Sequence, residues 1–291
     1  MIVCNICKSS SINILHSLGK YKIVECKKCG FVFTDKIMHV HNFVYGEDYF
    51  KIDNPETGKR GYRSYENDKP HHLYYFEKKI KLINKFISRG KILDVGCALG
   101  FFLEEANKAG FNPYGLDVSE YAVKYALKKF PSKVFCKALE DSNFKNGSFN
   151  VITFFQTIEH LEDPLKTLMS ANKLLSRGGI LVIACPNHDS ILRKIMGRHW
   201  FEYKPEEHLN YFDKRSLNSL LGKTGFKLIC MESDMFFYPI GYILERLSYY
   251  SPTSLLKKFF YIVYKFIDNF FIKNVRIPLP LGGMMVVAQK K

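Results

Sequence analysis

The sequence predicts an α/β protein in which parallel strands alternate with helices, preceded by a small cysteine-rich module. Three observations lead to this prediction. From Lys91 onward, short apolar runs typical of strands alternate with segments of helical spacing. A turn containing Gly96 and Gly100 joins the first of these strands to the helix that follows it. Two Cys-x-x-Cys pairs lie within the first thirty residues.

Length and composition describe a globular chain with a strong positive charge. With 291 residues and 47% apolar content, the chain can build one large domain or two ordinary ones. The formal charge of +15 favours phosphates, nucleic acid or an acidic membrane surface as partners, without choosing among them. The N-terminus lacks a secretory signal, and no uncharged apolar window reaches eighteen residues. We therefore predict a cytoplasmic protein whose eight cysteines are free or metal-bound.

Residues 1–38 are predicted to form a zinc-ribbon module with a structural metal. The pairs Cys4/Cys7 and Cys26/Cys29 are separated by eighteen residues, a spacing typical of a four-cysteine zinc site. Four sulfur ligands leave no open position on the metal, so its role would be structural. Two redox pairs or four ordinary thiols are the alternatives. The lysines around the pairs also leave nucleic-acid binding open.

Residues 39–70 are interpreted as an ordered linker, because aromatic residues and turn formers replace long apolar runs there, as at 45–50 and 54–55. A helix is predicted at 71–88, where apolar residues recur at helical spacing. It begins the main domain, which is assigned to 71–291.

The turn after the first strand is predicted to bind a nucleotide-like ligand. Asp94 ends that strand, and Gly96 and Gly100 let the backbone turn tightly at the start of a helix with unpaired N–H groups. About twenty residues later a second strand ends in Asp117, where a doubly wound fold places the carboxylate that holds a ribose. An ordinary strand-to-helix turn with chance carboxylates is the alternative.

The elements after the turn keep the alternating order of a parallel sheet with helical crossovers. They are predicted as helix 101–109, a strand ending at 117, helix 119–129, strands 133–137 and 149–155, a helix from 164 to the glycines at 178–179, strand 180–185, helix 213–224, and strands 226–232 and 283–289. Asp163 as N-cap and Pro164 at the first helical position begin the helix after strand 149–155. The long segment 186–212 indicates a functional loop.

Three motifs resemble the class I S-adenosylmethionine-dependent methyltransferases. KILDVGCALGFF at 91–102 is similar to their acidic-x-G-x-G-x-G motif, with Ala98 in place of one glycine. FFQTIEHLEDP at 154–164 is similar to the loop after the fourth strand in small-molecule methyltransferases, and 208–212 matches an H-x-x-x-F run. The resemblance implies a Rossmann-like seven-stranded sheet whose last strand is antiparallel. Residues 233–281 are then a helical insertion before that strand.

The resemblance also implies the site residues. S-adenosylmethionine would be bound by Asp94, Gly96, Cys97, Ala98, Gly100, Asp117, Val118, Leu139, Glu140 and Gln156. The candidate catalytic residues are Glu159, His160 and His208, because an imidazole titrates near neutrality and a nearby carboxylate can raise its basicity. In some relatives a Glu-x-x-Glu-His cluster holds a divalent metal instead, and here Gln156 replaces the first glutamate. A histidine that only hydrogen-bonds the loop is the alternative.

The insertion 233–281 is unusually aromatic, with thirteen Phe and Tyr residues. Lys257, Tyr261, Lys265 and Asp268 form a narrow polar stripe on a predicted helix that is otherwise largely apolar. Such a helix either covers the active site or lies in a membrane interface, as basic amphipathic helices do. Covering the active site, or packing on the core, is the interpretation that the sequence favours, and the membrane interface is the alternative.

We predict methyl transfer to an oxygen or carbon nucleophile of a small hydroxylated acceptor, preferably a nucleotide- or lipid-linked sugar or a glycan precursor. The basic surface and the stretch 193–200, which includes Trp200, suit a phosphorylated or sugar-bearing acceptor. One rival is an RNA methyltransferase, which the charge and the ribbon support but whose N-P-P-[FYW] motif is absent after strand 149–155. A nicotinamide-dependent oxidoreductase, disfavoured by the missing second glycine, and a non-catalytic zinc-binding adaptor are the others.

Overall fold

A computed structural model describes residues 2–35, 45–51, 65–250, 253–267 and 271–291. The predicted linker 39–70 is therefore described only in part, and the turn residues at 54–55 and Asp268 lie outside the described residues. The chain divides into two compact units, Met1–Asp234 with Gly282–Lys291 and Met235–Leu281. In the part of the chain that is described, no helix is long and apolar enough to cross a membrane.

A small antiparallel sheet carries the cysteine pairs. Its first three strands are β1 (Ile12–Leu18), β2 (Tyr21–Cys26) and β3 (Val32–Thr34). The fourth strand comes from far along the chain: β9 (Asn210–Tyr211) pairs with β3. Phe31 packs on Phe212 within the main hydrophobic core, with ring centroids 5.3 Å apart. The cysteine-rich segment therefore shares its sheet and its core with the rest of the first unit.

The large sheet has seven strands, as predicted. In chain order they are β4 (Gly90–Val95), β5 (Phe111–Asp117), β6 (Val134–Cys136), β7 (Phe149–Phe155), β8 (Leu175–Pro186), β10 (Phe226–Pro239) and β11 (Arg276–Lys290). Their spatial order is β10-β11-β8-β7-β4-β5-β6. Strands β4 to β8 pair in parallel, whereas β11 runs antiparallel to β8. The antiparallel last strand is thus confirmed.

Seven α-helices of the first unit lie in the described residues. They are α1 (Glu47–Lys51), α2 (Lys69–Ile83), α3 (Phe101–Lys108), α4 (Glu120–Leu127), α5 (Pro164–Leu174), α6 (Ile191–Met196) and α7 (Lys214–Lys223). The cap predicted at Asp163 is confirmed, because its carboxylate accepts the N–H of Lys166 at 3.0 Å. Helix α2 ends at Ile83, five residues before its predicted end.

The boundary between α5 and β8 was predicted wrongly. Strand β8 begins at Leu175, five residues before the predicted start. Phe149 of β7 lies opposite Leu175, but Val151 lies opposite Ile180, so β8 carries extra residues at this point. They form an irregular bulge that includes Gly178 at a φ of 73°. The glycine pair, interpreted as a helix end, therefore belongs to a bulge inside the strand.

The helical part of the second unit is shorter than the predicted helical insertion 233–281. Strand β10 continues to Pro239 and β11 begins at Arg276, so both strands extend into the segment that was predicted to be helical. The unit contains α8 (Ile240–Tyr250), α9 (Ser254–Ile267) and a 3₁₀ turn at Phe271–Asn274. Helix α9 lies against α8, and the 3₁₀ turn contacts both helices. The N–H of Ile240 donates to the carbonyl of Val275 at 3.0 Å, which joins the two ends of the unit.

Candidate active site

Three segments meet at the carboxyl edge of the parallel strands: the turn after β4, Asp117 at the end of β5, and the loop after β7. Gly96 adopts a φ of 78° and lies against Thr157, the second residue after β7. A Cβ at position 96 would overlap the Thr157 side chain, so only glycine fits there. This edge is where open parallel sheets bind their ligands.

Asp117 organises the turn that the sequence singled out. Its Oδ2 accepts the N–H of Ala98 and its Oδ1 accepts the N–H of Ser119, both at 2.8 Å. Ala98 adopts a φ of 45°, a left-handed conformation that costs a residue with a Cβ about 1 kcal/mol. The hydrogen bond between its N–H and Asp117 helps to hold Ala98 in this conformation. Burial raises the pKa of the Asp117 carboxyl, and the backbone N–H groups around it oppose that shift.

Asp94 is buried between strands, and its environment differs from that of Asp117. Its Oδ1 accepts the hydroxyl of Thr153 on β7 at 2.6 Å. Burial raises the pKa of Asp94 to about 8, while the Thr153 bond and the Asp117 charge act in opposite directions. Asp94 is therefore anchored by its neighbouring strand at the start of the turn.

The remaining predicted cofactor residues lie around this edge in different settings. Gly100, at the N-terminus of α3, adopts a φ of 80°. Cys97 and Leu139 are buried, whereas Val118, Glu140 and Gln156 are half-buried. Glu140 accepts the hydroxyl of Thr167. Because the side chains of Cys97 and Leu139 belong to the interior, these two residues present mainly backbone at the edge.

The predicted catalytic residues come together. Glu159, His160 and His208 each offer an atom within 4.8 Å of the other two, and the two imidazole centroids are 4.8 Å apart. The Nδ1 atom of His160 lies 2.9 Å from the carbonyl of Glu207, and that of His208 lies 2.9 Å from the carbonyl of Glu202. A carbonyl only accepts, so in the neutral imidazoles these contacts favour the tautomer with the proton on Nδ1 and the lone pair on Nε2.

Glu159 is the unusual member of this cluster. Both of its carboxylate oxygens are buried and have no hydrogen-bond partner among the described residues. Burial raises the pKa of Glu159 to about 8 and lowers the pKa of His208 well below its usual value, with His160 and Lys204 adding to the second shift. A carboxylate with two imidazoles is also a donor set that suits a divalent transition metal. The cluster can therefore hold either a proton or a metal ion.

The small N-terminal sheet holds the loop that carries His208. Thr34 of β3 donates its hydroxyl to the carbonyl of His208 at 2.9 Å, and its N–H to the carbonyl of Leu209 at 3.0 Å. Leu209 in turn donates its N–H to the carbonyl of Glu159 at 2.8 Å. A continuous chain of backbone contacts thus runs from β3 to the predicted catalytic cluster.

The four cysteines have the geometry of a metal site. Cys4 and Cys29 have sulfurs 3.6 Å apart, Cys7 and Cys26 have sulfurs 3.4 Å apart, and all four sulfurs lie within 4.8 Å of one another. Zinc–sulfur bonds of about 2.3 Å in a tetrahedron place sulfurs about 3.8 Å apart. The separations are far too long for disulfides, so the four thiols fit one tetrahedral ion.

Tyr45 was not identified from the sequence. It connects the two halves of the site, which are the turn held by Asp117 and the predicted catalytic cluster. Its carbonyl accepts the hydroxyl of Ser119 at 2.6 Å, and its own hydroxyl lies 2.9 Å from Nδ1 of His160. Burial, reinforced by nearby carboxylates that include Glu207, raises the pKa of its phenol. The only available signal was the concentration of aromatic residues at 45–50.

A buried ion pair near Gln156 was also missed. Asp234 pairs with Lys79, accepts the hydroxyl of Tyr75 at 2.7 Å and lies 3.5 Å from the side-chain amide of Gln156. Lys79 and Asp234 are both buried. The available signal was a lysine on the apolar face of the predicted helix 71–88, between Phe76 and Ile80.

Removing one partner of this ion pair is expected to destabilise the fold. Asp234→Leu leaves Lys79 buried without its counter-charge, which should lower the free energy of unfolding by about 4 kcal/mol. The double variant Lys79→Met/Asp234→Leu should regain most of that loss, because neither charge remains. Urea unfolding measures both. A double variant no more stable than the single one would contradict the prediction. Glu77→Gln is the control: it breaks an exposed pair with Lys81 and should leave the midpoint of urea unfolding unchanged.

Trp200 is a core residue, not the substrate contact suggested by the basic and aromatic stretch 193–200. Its ring is buried with Ile23, Val32 and Tyr211, where the small sheet meets the segment 186–212. The segment itself folds into α6, a 3₁₀ turn at Gly197–His199 and β9. Its length is thus explained in part by attachment of the cysteine-rich sheet.

Comparisons with known proteins identify the family to which this chain belongs. The family described as a methyltransferase domain matches residues 69–231, more than half of the chain. An uncharacterised protein from Methanocaldococcus jannaschii is 26% identical over 161 residues, which cover 55% of this chain and 76% of that one. The ubiquinone biosynthesis O-methyltransferase of Vibrio parahaemolyticus is 30% identical over 173 residues, covering 52% and 71%.

A solved S-adenosylmethionine-dependent methyltransferase from Thermotoga maritima has the same fold, with a TM-score of 0.51 at 17% identity over 78% of this chain and 95% of that one. The fold and the carboxyl-edge turn define an α/β protein that binds a nucleotide-like cofactor. The chain belongs to the methyltransferase domain family, and its activity is S-adenosylmethionine-dependent methyl transfer. The predicted membership of the S-adenosylmethionine-dependent methyltransferases is thus confirmed.

Proposed function

We propose that the protein transfers a methyl group to a hydroxyl oxygen of a small acceptor, with a nucleotide- or lipid-linked sugar or glycan precursor as the preferred class. The ubiquinone biosynthesis O-methyltransferases among its relatives favour oxygen over carbon as the nucleophile. The formal charge of +15 favours an acceptor with phosphate groups. Methyl transfer to RNA is the rival, supported by the same charge.

One observation carries the proposal: the turn for the cofactor touches the loop that carries the candidate base. Gly96 lies against Thr157, three residues before His160, and Tyr45 contacts both Ser119 and His160. An acceptor bound beside the turn would therefore lie within reach of the imidazole. Positioning of the two reactants is the main contribution that such an enzyme makes.

The chain's own groups supply orientation and proton removal. Bound S-adenosylmethionine supplies a methyl group that is activated by its positive sulfur. We assign Nε2 of His160 as the atom that takes the acceptor proton, since Nδ1 is oriented by the carbonyl of Glu207. His208 and the buried Glu159 lie close enough to stabilise the proton after its transfer. Asp117, with the turn that it holds, is assigned to the cofactor ribose.

Replacing His160 tests this assignment. His160→Gln should lower kcat by about 100- to 1,000-fold with little change in S-adenosylmethionine affinity, because a general base contributes that much to a proton transfer. Labelled methyl transfer measures kcat, and calorimetry measures cofactor binding. His199→Ala removes an exposed histidine of the same unit and should leave both unchanged.

A metal at the cluster would contradict the base assignment. In that case the protein would hold a metal ion besides any ion at the four cysteines, and elemental analysis would find this second ion in Cys4→Ser/Cys29→Ser but not in His160→Gln. An unchanged kcat in His160→Gln would contradict it equally, while the methyltransferase assignment would stand.

An assay on fractionated cell extract tests the acceptor class. Labelled S-adenosylmethionine is incubated with the enzyme and with each fraction, and the labelled products are identified by mass spectrometry. We expect the label in a phosphorylated or lipid-linked saccharide. If the label is found in RNA and is lost on ribonuclease treatment, RNA replaces the saccharide as the acceptor. If the protein binds S-adenosylmethionine but no fraction becomes labelled, the result favours a non-catalytic binding role.

We also propose that Cys4, Cys7, Cys26 and Cys29 hold a structural zinc ion. Four sulfur ligands would fill the tetrahedral coordination of the ion and leave no open position for catalysis. A thiol-reducing cytoplasm would keep these cysteines available as ligands. Zinc would hold the turns that bear the cysteines and, through β3, the His208 loop. This link to the predicted catalytic cluster supports the enzyme over the non-catalytic zinc-binding adaptor, since an adaptor has no catalytic residues to position.

A further inference from the structure

Helix α9 of the second unit carries an exposed apolar stripe. Leu255, Phe259, Ile262 and Phe266 are 77%, 58%, 56% and 70% exposed. Their spacing of four, three and four residues places them on one face of the helix. Phe271, in the 3₁₀ turn that follows, is 84% exposed. Large apolar side chains are thus concentrated in one line on the surface of the second unit.

The opposite side of α9 is the side that packs within its own unit. Phe260, Val263, Tyr264 and Ile267 are half-buried and recur at helical spacing. A helix on the surface of a water-soluble protein normally turns its apolar side inward and its polar side to water. In α9 both sides are apolar, and the side with the stripe is largely exposed. A continuous apolar surface of this kind marks an interaction site.

Positive charge borders the stripe. Lys258 and Lys265 lie along one edge of it, and Lys257 lies farther around the helix. The segments 253–267 and 271–281 contain no acidic residue, and 235–281 as a whole has six basic residues against two acidic ones. Lysine stems can run along apolar surface while their ammonium groups remain in the headgroup layer. The charge pattern therefore matches an anionic lipid surface.

We propose that α9 lies flat in the surface of an anionic bilayer, with its apolar stripe in the acyl boundary and Lys258 and Lys265 among the lipid phosphates. The fourteen residues of α9 span about 21 Å, which is too short to cross a bilayer and suits an in-plane helix. A second copy of the chain is a poorer occupant, because its surface would bring the same lysines and the same net charge.

Flotation of the full-length protein with lipid vesicles tests the proposal. We expect binding at low salt to vesicles with about one third anionic phosphatidylglycerol, and weak binding to vesicles of phosphatidylcholine alone. Phe259→Ser/Ile262→Ser/Phe266→Ser should lower the partition coefficient at least about 30-fold, because three exposed side chains lose their apolar contact with the lipid. Lys258→Glu/Lys265→Glu should lower it about 10-fold or more, and only on anionic vesicles.

A matched control replaces exposed apolar side chains elsewhere. Ile14→Ser/Met169→Ser alters residues that are exposed to a similar degree and should float like the wild type. Thermal denaturation checks that each variant is folded. The stripe residues are exposed, so the triple variant should keep its melting temperature.

Three results would overturn the proposal. The first is absence of wild-type flotation at low salt. The second is a wild-type dimer in light scattering that the triple variant converts to a monomer, without any vesicle binding, which would make the stripe a contact between copies. The third is a raised KM for a soluble acceptor in the triple variant without vesicle binding, which would make α9 a cover for the active site. Failure of the methyltransferase assay alone leaves the lipid result untouched.

Discussion

Asp117→Ala is expected to weaken S-adenosylmethionine binding by about 1,000-fold. The carboxylate is assigned to the ribose hydroxyls, and its oxygens also hold the N–H groups of Ala98 and Ser119. Each hydrogen bond to a charged group contributes about 1.5–3 kcal/mol, and the loss of two at the ligand, about 4 kcal/mol, corresponds to about three orders of magnitude in Kd. Isothermal titration calorimetry with S-adenosylmethionine measures the change.

Two further variants separate this effect from damage to the fold. Asp141→Ala removes an exposed carboxylate from the 3₁₀ turn beyond β6 and should bind the cofactor like the wild type. Asp117→Asn keeps the shape of the side chain but points an amide N–H at one of the backbone N–H groups, so an intermediate loss is expected. Cofactor affinity in Asp117→Ala within a factor of about three of wild type would contradict the role of Asp117.

Removal of the proposed zinc ion is expected to have the largest effect on stability. Structural zinc contributes about 10 kcal/mol or more to small metal-dependent folds, and this cysteine sheet shares its core with the large sheet. Cys4→Ser/Cys29→Ser should therefore lower Tm by at least about 10 °C. Turnover should fall with it, because β3 holds the carbonyl of His208 through Thr34.

The measurements for the zinc prediction are metal content, Tm and turnover. One equivalent of zinc per chain should be found by elemental analysis, and it should be absent from the double variant. Cys136→Ser removes an exposed thiol outside the cluster and should change none of the three. Purified protein with no bound metal and four oxidisable thiols would instead support the redox interpretation.

The connection between the cysteine sheet and the candidate active site is the main structural result for function. A zinc ribbon is often a separate small module, and the sequence suggested one at 1–38. In this fold β9 completes its sheet from residues that directly follow His208 and Leu209. A metal ion bound by the four cysteines would thus stiffen a loop of the predicted catalytic cluster. Loss of the metal is expected to reduce kcat even in molecules that remain folded.

Local features of this protein could be predicted from the sequence because their causes are local. The strand at 149–155 was predicted with its observed bounds, since an apolar run lies there between a turn and a polar loop. The turn from Asp94 to Gly100 was recognised from its two glycines, which adopt φ values of 78° and 80° that favour glycine. Ala98, the apparent mismatch, proves to adopt the same left-handed conformation at a modest cost.

The remaining features depend on partners that are far apart in the chain. Nothing in a two-residue strand such as β9 signals that it pairs with β3, about 180 residues earlier, because two residues carry no periodicity. The pairing of Lys79 with Asp234 spans 155 residues and is selected only when α2 and β10 are brought together. The bulge in β8 is likewise a property of its register with β7.

The sequence by itself determined the family, the alternation of strands and helices around the large sheet, and the glycines and carboxylates of the turn after β4, because these follow from short-range patterns of residues. Only the tertiary structure decided that Tyr45 joins the two halves of the site, that Glu159 lacks a hydrogen-bond partner among the described residues, and that the cysteine sheet holds His208. These depend on burial and on contacts between distant segments, which are set when the chain packs.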